Sequence, residues 1–335
     1  MKEFVISEAQ VETAVLVGLI TQTQDERKTK EYLDELEFLA ETAGAEVVKK
    51  FTQKLPTANS VTYVGKGKLE EIKEYILNEE ENEREVGMVI FDDELSAIQL
   101  RTLEETLGAR VIDRTTLILD IFAARATSRE GKLQVELAQM RYRLPRLIGQ
   151  GQVLSRLGGG IGTRGPGEKK LEIDRRRIRR RVFELETELS EIEKQRGLRR
   201  ESRKANRIPL VALVGYTNAG KSTMLNALTD SNVLAEDKLF ATLDPVVRKI
   251  TLSGGTEALL SDTVGFINKL PHDLVEAFKS TLEEVSNSDL ILQVVDISCP
   301  YHEKQMRVVD GVLESLHAAD IPRIIVFNKA DAIPS

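Results

Sequence analysis

Leu210–Val214 is a five-residue apolar run, and directly after it stands GYTNAGKS, Gly215–Ser222. The spacing is G-x-x-x-x-G-K-[ST] in strand–loop–helix order. In that arrangement backbone amides converge on phosphate oxygens and a helix N-terminus adds its positive end. Gly215, Tyr216, Thr217, Asn218, Ala219, Gly220 and Thr223 would wrap a polyphosphate. Lys221 would bridge its β- and γ-phosphates, and the Ser222 hydroxyl would bind Mg²⁺. Two further segments come later in chain order. Leu259–Ser261 leads into Asp262, Thr263, Val264 and Gly265, a strand ending in a carboxylate. Asp262 is placed to hold the water shell of Mg²⁺, and the Gly265 amide to sense the γ-phosphate. Ile324–Phe327 leads into Asn328, Lys329, Ala330 and Asp331. Asp331 can accept from N1–H and the 2-amino group of guanine, a pair adenine does not present. Asn328 can reach the opposite edge, and Lys329 can lay its stem over the base. Either tetrapeptide alone recurs by chance. All three segments in order, each behind an apolar strand, point to a guanine nucleotide.

These segments need a parallel sheet to carry them, and Pro209 opens a stretch that reads as one. Upstream, residues 1–113 read as a separate small parallel α/β domain. Its strands are expected at 14–20, 47–51, 86–91 and 109–112. Its helices are expected at 29–43, at 68–80 with Leu69, Ile72, Ile76 and Leu77 at helical spacing, and from an N-cap at Ser96 to Leu107. VGKGKLEE (Val64–Glu71) lacks the phosphate-loop spacing; it reads as a turn before a helix, with a second nucleotide or RNA contact as the alternative.

Residues 114–200 read as a helical arm. Leu133, Leu137, Met140, Leu144 and Leu147 form a 4-3-4-3 seam, and Leu171, Ile178, Leu185 and Ile192 recur at sevens, with Val182 and Leu189 on the adjoining row. Two such helices joined by a loop would pair as an antiparallel hairpin, unless the leucines pack on a neighbouring domain. The loop, residues 149–168, holds eight of the chain's 22 glycines. Its G-x-G-x-x-G stands after a helix, not a strand, which rejects a dinucleotide site. Such a bare basic backbone suits insertion into folded RNA, a disordered linker being the alternative. GLRRESRKANR, 197–207, reads as a linker, and residues 201–335 as the nucleotide domain.

The formal charge of −7 speaks against a nucleic-acid partner only as a total. Between Arg141 and Arg181 stand thirteen basic and three acidic residues, a local +10 against −17 for the other 294 residues. That is the footprint of a polyphosphate partner, unless it is a solvated helical face. The candidate RNA contacts are Arg156, Arg164, Lys169, Lys170, Arg175, Arg176, Arg177, Arg179, Arg180 and Arg181. One cysteine, Cys299, fits a reducing cytoplasm, with partial association with ribosomes or a membrane surface left open. No apolar stretch approaches the length of a membrane span.

By these motifs the chain resembles a known family. GYTNAGKS, FATLDP (Phe240–Pro245), DTVGF and NKAD are similar to the translation-factor-related GTPases. The N-terminal α/β domain, the arm and GGGIGTRGPGE, followed by an ExxxxxDRRRIRRR run, resemble the HflX-type ribosome-associated GTPases over essentially the whole chain. The resemblance implies that Phe240, Ala241, Thr242, Leu243 and Asp244 join the GTP site, with Thr242 as the switch I threonine on Mg²⁺. Lys221, Thr242 and Gly265 would be its catalytic residues. It also implies binding to the large ribosomal subunit and its RNA, with a role in splitting or rescuing stalled ribosomes or in subunit assembly. Related GTPases continue past the NKAD segment with a helix, a last strand and a guanine-contacting Ser-Ala segment; here the sequence stops at Ser335, which reads as a truncation.

Many small GTPases carry a water-orienting glutamine where this chain has Phe266, so intrinsic hydrolysis should be slow and stimulated by the ribosome. Asn218 matches the asparagine through which some relatives are stimulated by K⁺; a turn-forming role is the alternative. The expected protein is a monomer that hydrolyses GTP. The alternatives are a GTP/GDP-responsive RNA-binding module with negligible hydrolysis and a GTPase scaffold for RNA modification.

Overall fold

A computed structural model describes residues 12–82, 85–155, 166–205, 208–229, 239–240, 243–252, 254–270 and 279–333, without the side chains of 147–155, 166–171, 199–205, 279–281 and 283. Two compact units emerge, one of Met1–Asp120 with Pro145–Asp174, the other of Ile121–Leu144 with Arg175–Ser335.

The first unit is built on β1 (Glu12–Ile20), α1 (Glu26–Thr42), β2 (Ala45–Lys54), α2 (Lys66–Glu81), β3 (Met88–Phe91), α3 (Ala97–Leu107) and β4 (Arg110–Asp113). The sheet order is β2-β1-β3-β4 with every pair parallel, as the alternation of elements predicts. Ala14–Val17 are buried on both faces of the sheet, which is why β1 reads as an unbroken apolar run. Val15, Val17 and Leu19 pack with Leu69, Ile72, Ile76 and Leu103 of α2 and α3. On the other face Gly18 lies against Leu33 of α1, where a Cβ would come within 3.2 Å of the leucine. Leu77 departs from the predicted apolar face and is 49% exposed, since it sits one residue past Ile76. Ser96 caps α3 in a capping box with Gln99, and Gly108 ends the helix at φ +68. Gly65 is the N-cap of α2, so the VGKGKLEE turn reading describes that segment.

After β4 the arm opens with two helices, α4 (Arg114–Arg125) and α5 (Arg129–Ser155), separated around the exposed Thr127. Asp113 caps α4, its Oδ1 accepting from Thr116 N at 2.9 Å and Thr116 Oγ1 at 2.7 Å. Next in the chain comes α6 (Pro166–Ala205). Two expected boundaries move. Part of the glycine-rich loop is helical, since α5 runs to Ser155 and α6 starts at Pro166, and 197–205, read as linker, continue α6. Arg156 and Arg164 lie outside the described residues; Lys169 and Lys170 lie on α6, with side chains outside them. In the second unit Leu133 and Leu137 of α5 close on Leu185 of α6, flanked by Met140, Val182, Leu189 and Ile192. Ion pairs Arg196–Glu130 and Arg181–Glu136 run in opposite senses along the two helices, so they pair antiparallel.

The second unit also holds β5 (Leu210–Gly215), α7 (Lys221–Thr229), β6 (Val246–Thr251), β7 (Glu257–Asp262), α8 (Lys279–Ser286), β8 (Leu290–Asp296), α9 (His302–Ser315) and β9 (Arg323–Asn328). The order is β6-β7-β5-β8-β9, parallel except for β6 against β7. This edge hairpin was not foreseen; it turns on Gly254 and Gly255, at φ +106 and +80, a conformation glycine adopts freely. Leu213, Ala219, Leu225, Leu260 and Val294 form the core under the loop after β5.

Candidate nucleotide site

The loop after β5 is shaped by glycines that cannot be replaced without collision. At Gly215 a Cβ would stand 2.3 Å from the Val294 carbonyl oxygen, so β5 and β8 meet closely only without one. Gly220 has φ +97, and a Cβ there would strike Asn328 Nδ2 at 2.1 Å. Asn328 Nδ2 donates to the Ala219 carbonyl at 2.9 Å, which ties the NKAD turn to the phosphate loop. Asn218 takes the left-handed conformation, φ +59, that a turn asparagine tolerates.

Lys221 and Ser222 open α7. The Lys221 ammonium is buried and donates to the Gly215 and Tyr216 carbonyls at 3.2 and 2.8 Å. Burial brings its pKa down to about 8 against the opposing pull of Asp262. The Ser222 hydroxyl donates to Asp262 Oδ2 at 2.6 Å, joining α7 to the end of β7. A hydroxyl and a carboxylate are the hard oxygen donors Mg²⁺ takes, so this pair fits the ion. Thr263 Oγ1 donates to the Leu213 carbonyl at 2.7 Å, fixing the segment after β7 on β5. Gly265 packs so tightly that a Cβ would lie 2.6 Å from Thr217 Cα and 2.9 Å from Lys221 Nζ. Phe266 is fully buried and bridges backbone to backbone: Thr217 N–H donates to its carbonyl at 2.8 Å and its own N–H to Gly215 at 3.2 Å.

The remaining predicted residues divide. Lys329, at φ +57, pairs with Asp296 at 2.8 Å, and Asp331 lies exposed on a 3₁₀ turn, Ala330–Ala332. Burial alone would raise the Asp296 pKa, but Lys329 and Ser298 hold it below its ordinary value. Phe240 and Leu243 are buried, while Ala241 and Thr242 lie outside the described residues. The Phe240 N–H donates to Thr217 Oγ1 at 3.0 Å, bringing the FATLDP segment to the phosphate loop. Asp244 is not among the residues gathered there: its carboxylate binds Thr127 and Ser128. On α6, Arg176, Arg177, Arg179 and Arg180 are exposed, whereas Arg181 is engaged by Glu136 through two hydrogen bonds of 2.6 and 2.8 Å. Sequence reasoning missed Thr127 and Ser128, although Thr-Ser ahead of Arg-Glu is a helix-start signal.

Glycine loops of this build, on the carboxyl edge of a mostly parallel sheet, define the P-loop nucleotide hydrolases, and the chain is one of them. Residues 30–123 match the family described as GTP-binding GTPase N-terminal, 125–203 the GTP-binding GTPase Middle Region, and 210–329 the 50S ribosome-binding GTPase. A GTPase HflX of Caldanaerobacter subterraneus subsp. tengcongensis is 58% identical over 322 residues, covering 96% of this chain and 73% of that protein. The GTPase HflX of Escherichia coli is 47% identical over 322 residues, covering 96% and 74%. Among solved structures, a complex of SsGBP with GDP is 28% identical at TM-score 0.55, covering 97% of this chain and 84% of that one. A GTP-binding protein from Sulfolobus solfataricus in complex with GDP is 26% identical at TM-score 0.50, covering 96% and 83%. The chain belongs to the HflX GTPases: it is a GTP-hydrolysing enzyme associated with the large ribosomal subunit. Among the described residues no helix is long and apolar enough to cross a membrane.

Proposed function

We propose that this GTPase is a nucleotide-switched factor in the splitting or rescue of stalled ribosomes, or in subunit biogenesis, acting as a cytoplasmic monomer. The observation that carries the site reading is the convergence of Lys221, Ser222, Asp262 and Gly265 on the loop Gly215–Ser222. In this reading the loop amides and Lys221 hold the β- and γ-phosphates, Asn328 and Asp331 read guanine, and Lys329 lies along the base. Phosphate oxygens taking the place of the loop carbonyls restore the full charge of Lys221, whose proton is otherwise loosened by burial. Ser222, Thr242 and, through water, Asp262 would hold Mg²⁺, which supplies charge neutralisation at the phosphates when bound. Thr242 and Gly265 answer the γ-phosphate, and hydrolysis releases the segments that carry them.

The buried Phe266 offers no hydrogen bond to an attacking water, so intrinsic turnover is slow and the missing polar group comes from docked ribosomal RNA. The basic face of α6, with the residues of the glycine-rich loop, meets that RNA. Single-turnover hydrolysis with and without purified large subunits tests this; an unchanged rate sinks it. Cosedimentation across a salt series should lose its salt dependence when Arg175–Arg177 and Arg179–Arg180 are neutralised. Activation by K⁺ through Asn218 belongs to the same proposal, and equal rates in K⁺ and Na⁺ at one ionic strength would remove it.

A further inference from the structure

Asp244 stands in the segment that should answer nucleotide, yet its carboxylate is committed to a helix far away in sequence. Its Oδ2 accepts from Thr127 N at 2.9 Å, Thr127 Oγ1 at 2.7 Å and Ser128 N at 2.8 Å. Its Oδ1 accepts from the Ser128 hydroxyl. Ser128 in turn is the cap of α5: its Oγ accepts from Gly131 N at 2.9 Å and its carbonyl from Lys132 N at 3.1 Å. A carboxylate therefore sits at the positive end of a 27-residue helix. Burial alone would raise the pKa of Asp244, but the hydrogen bonds from Ser128 and Thr127 outweigh it and hold the group ionised.

The other end of the segment is gripped too. Phe240, held at φ +54, donates its N–H to Thr217 of the phosphate loop at 3.0 Å. Its ring meets Phe122 of α4 edge to face, 4.6 Å between centroids at 84°. Phe240 is thus anchored at the phosphate loop and α4, and Asp244 at the start of α5.

We propose that Asp244, clasped by Thr127 and Ser128, is a positioning residue that joins the nucleotide-sensing segment to the first turn of α5, so that nucleotide state and the arm move together. The proposal rests on the GTPase reading of the site and goes beyond it. A shift of the segment must either carry the start of α5 with it or leave four donors, two N–H and two O–H, to find water. Thr127 is exposed, so water can reach the clasp and the exchange is reversible. Coupling of this kind works in both directions: an arm docked on RNA would bias the nucleotide site as much as nucleotide biases the arm.

Gly131 supplies the sharpest test, because a Cβ there would stand 2.2 Å from Asp244 Oδ1. Gly131→Ala raises helix propensity, so it displaces the clasp without weakening α5 itself. In the full-length chain, amide hydrogen exchange at 127–132 should differ between GDP and a non-hydrolysable GTP analogue. In Gly131→Ala that difference should vanish while GDP affinity stays within about twofold, and stimulation by large subunits should fall about tenfold. Ser128→Ala should behave alike and Ser128→Thr should restore the response, which covers the case that Gly131→Ala fails to fold. Identical exchange in the two nucleotide states of the wild type, or a nucleotide difference that survives in both Gly131→Ala and Ser128→Ala, overturns the proposal. If the wild type shows the exchange difference but no ribosomal stimulation, the clasp stands and the ribosome-stimulated reading of hydrolysis falls.

Discussion

Two parallel sheets in this chain end their strands in carboxylates and put them to opposite uses. In the first unit Asp92 comes directly after β3, and Arg114 closes on it. The guanidinium donates to Asp92 Oδ1 at 3.0 and 2.7 Å, to Glu35 at 2.8 Å and to the Tyr32 carbonyl at 2.6 Å. Burial alone would lower the pKa of Arg114, but Asp92 and Glu35 hold it above its ordinary value. Asp113, at the end of β4, is likewise bound by Leu95 N, Arg146 and Thr116. In the second unit Asp262 ends β7 beside a serine hydroxyl, a buried lysine and a loop held open by glycines. The architecture is shared. The difference lies in the groups that meet the carboxylate: a bulky cation that completes its own network, or a glycine turn that leaves room for a ligand's phosphates.

Four substitutions probe that contrast. The largest effect is expected from Arg114→Ala, which leaves the buried Asp92 and the partly buried Glu35 without their cation and should cost about 3–5 kcal/mol in urea unfolding. GTP turnover per folded molecule should hold; a turnover loss without a stability loss would turn the closed network into a functional site. Lys221→Ala should lower kcat/KM about 10²–10³-fold, read in steady-state assays with Mg²⁺. Turnover within a few-fold of wild type would remove the lysine from the chemistry. Gly265→Ala drives a Cβ to 2.6 Å from Thr217 Cα, and about 10²-fold in single-turnover rate is expected, with GDP affinity changed less. Equal rates would mean that the close approach is dispensable. The smallest effect belongs to Ser96→Ala, which removes the capping box of α3 and should cost about 1 kcal/mol by thermal melting, with hydrolysis intact.

Legibility in the sequence depended on the range of each signal. The phosphate loop, DTVG and NKAD are local patterns behind apolar strands, and β5, β7 and β9 lie where those patterns require. The capping box at Ser96 reaches only three residues ahead and was equally plain. By contrast, β6 reads poorly because Arg248 and Lys249 interrupt its apolar character, as an exposed edge strand allows. Arg114, between a strand and a helix, looks like any surface arginine until its partners arrive from 22 and 79 residues away.

The sequence by itself determined the nucleotide class, the two α/β sheets and the heptad pairing of α5 with α6, because each depends on periodicity or short spacing within one element. Only the tertiary structure decided what Asp244 does. From sequence it is one more member of FATLDP; in the fold it clasps Thr127 and Ser128, the latter the cap of a helix that begins 115 residues earlier. A carboxylate goes where the most donors converge, and those donors are brought together by packing that no local pattern encodes.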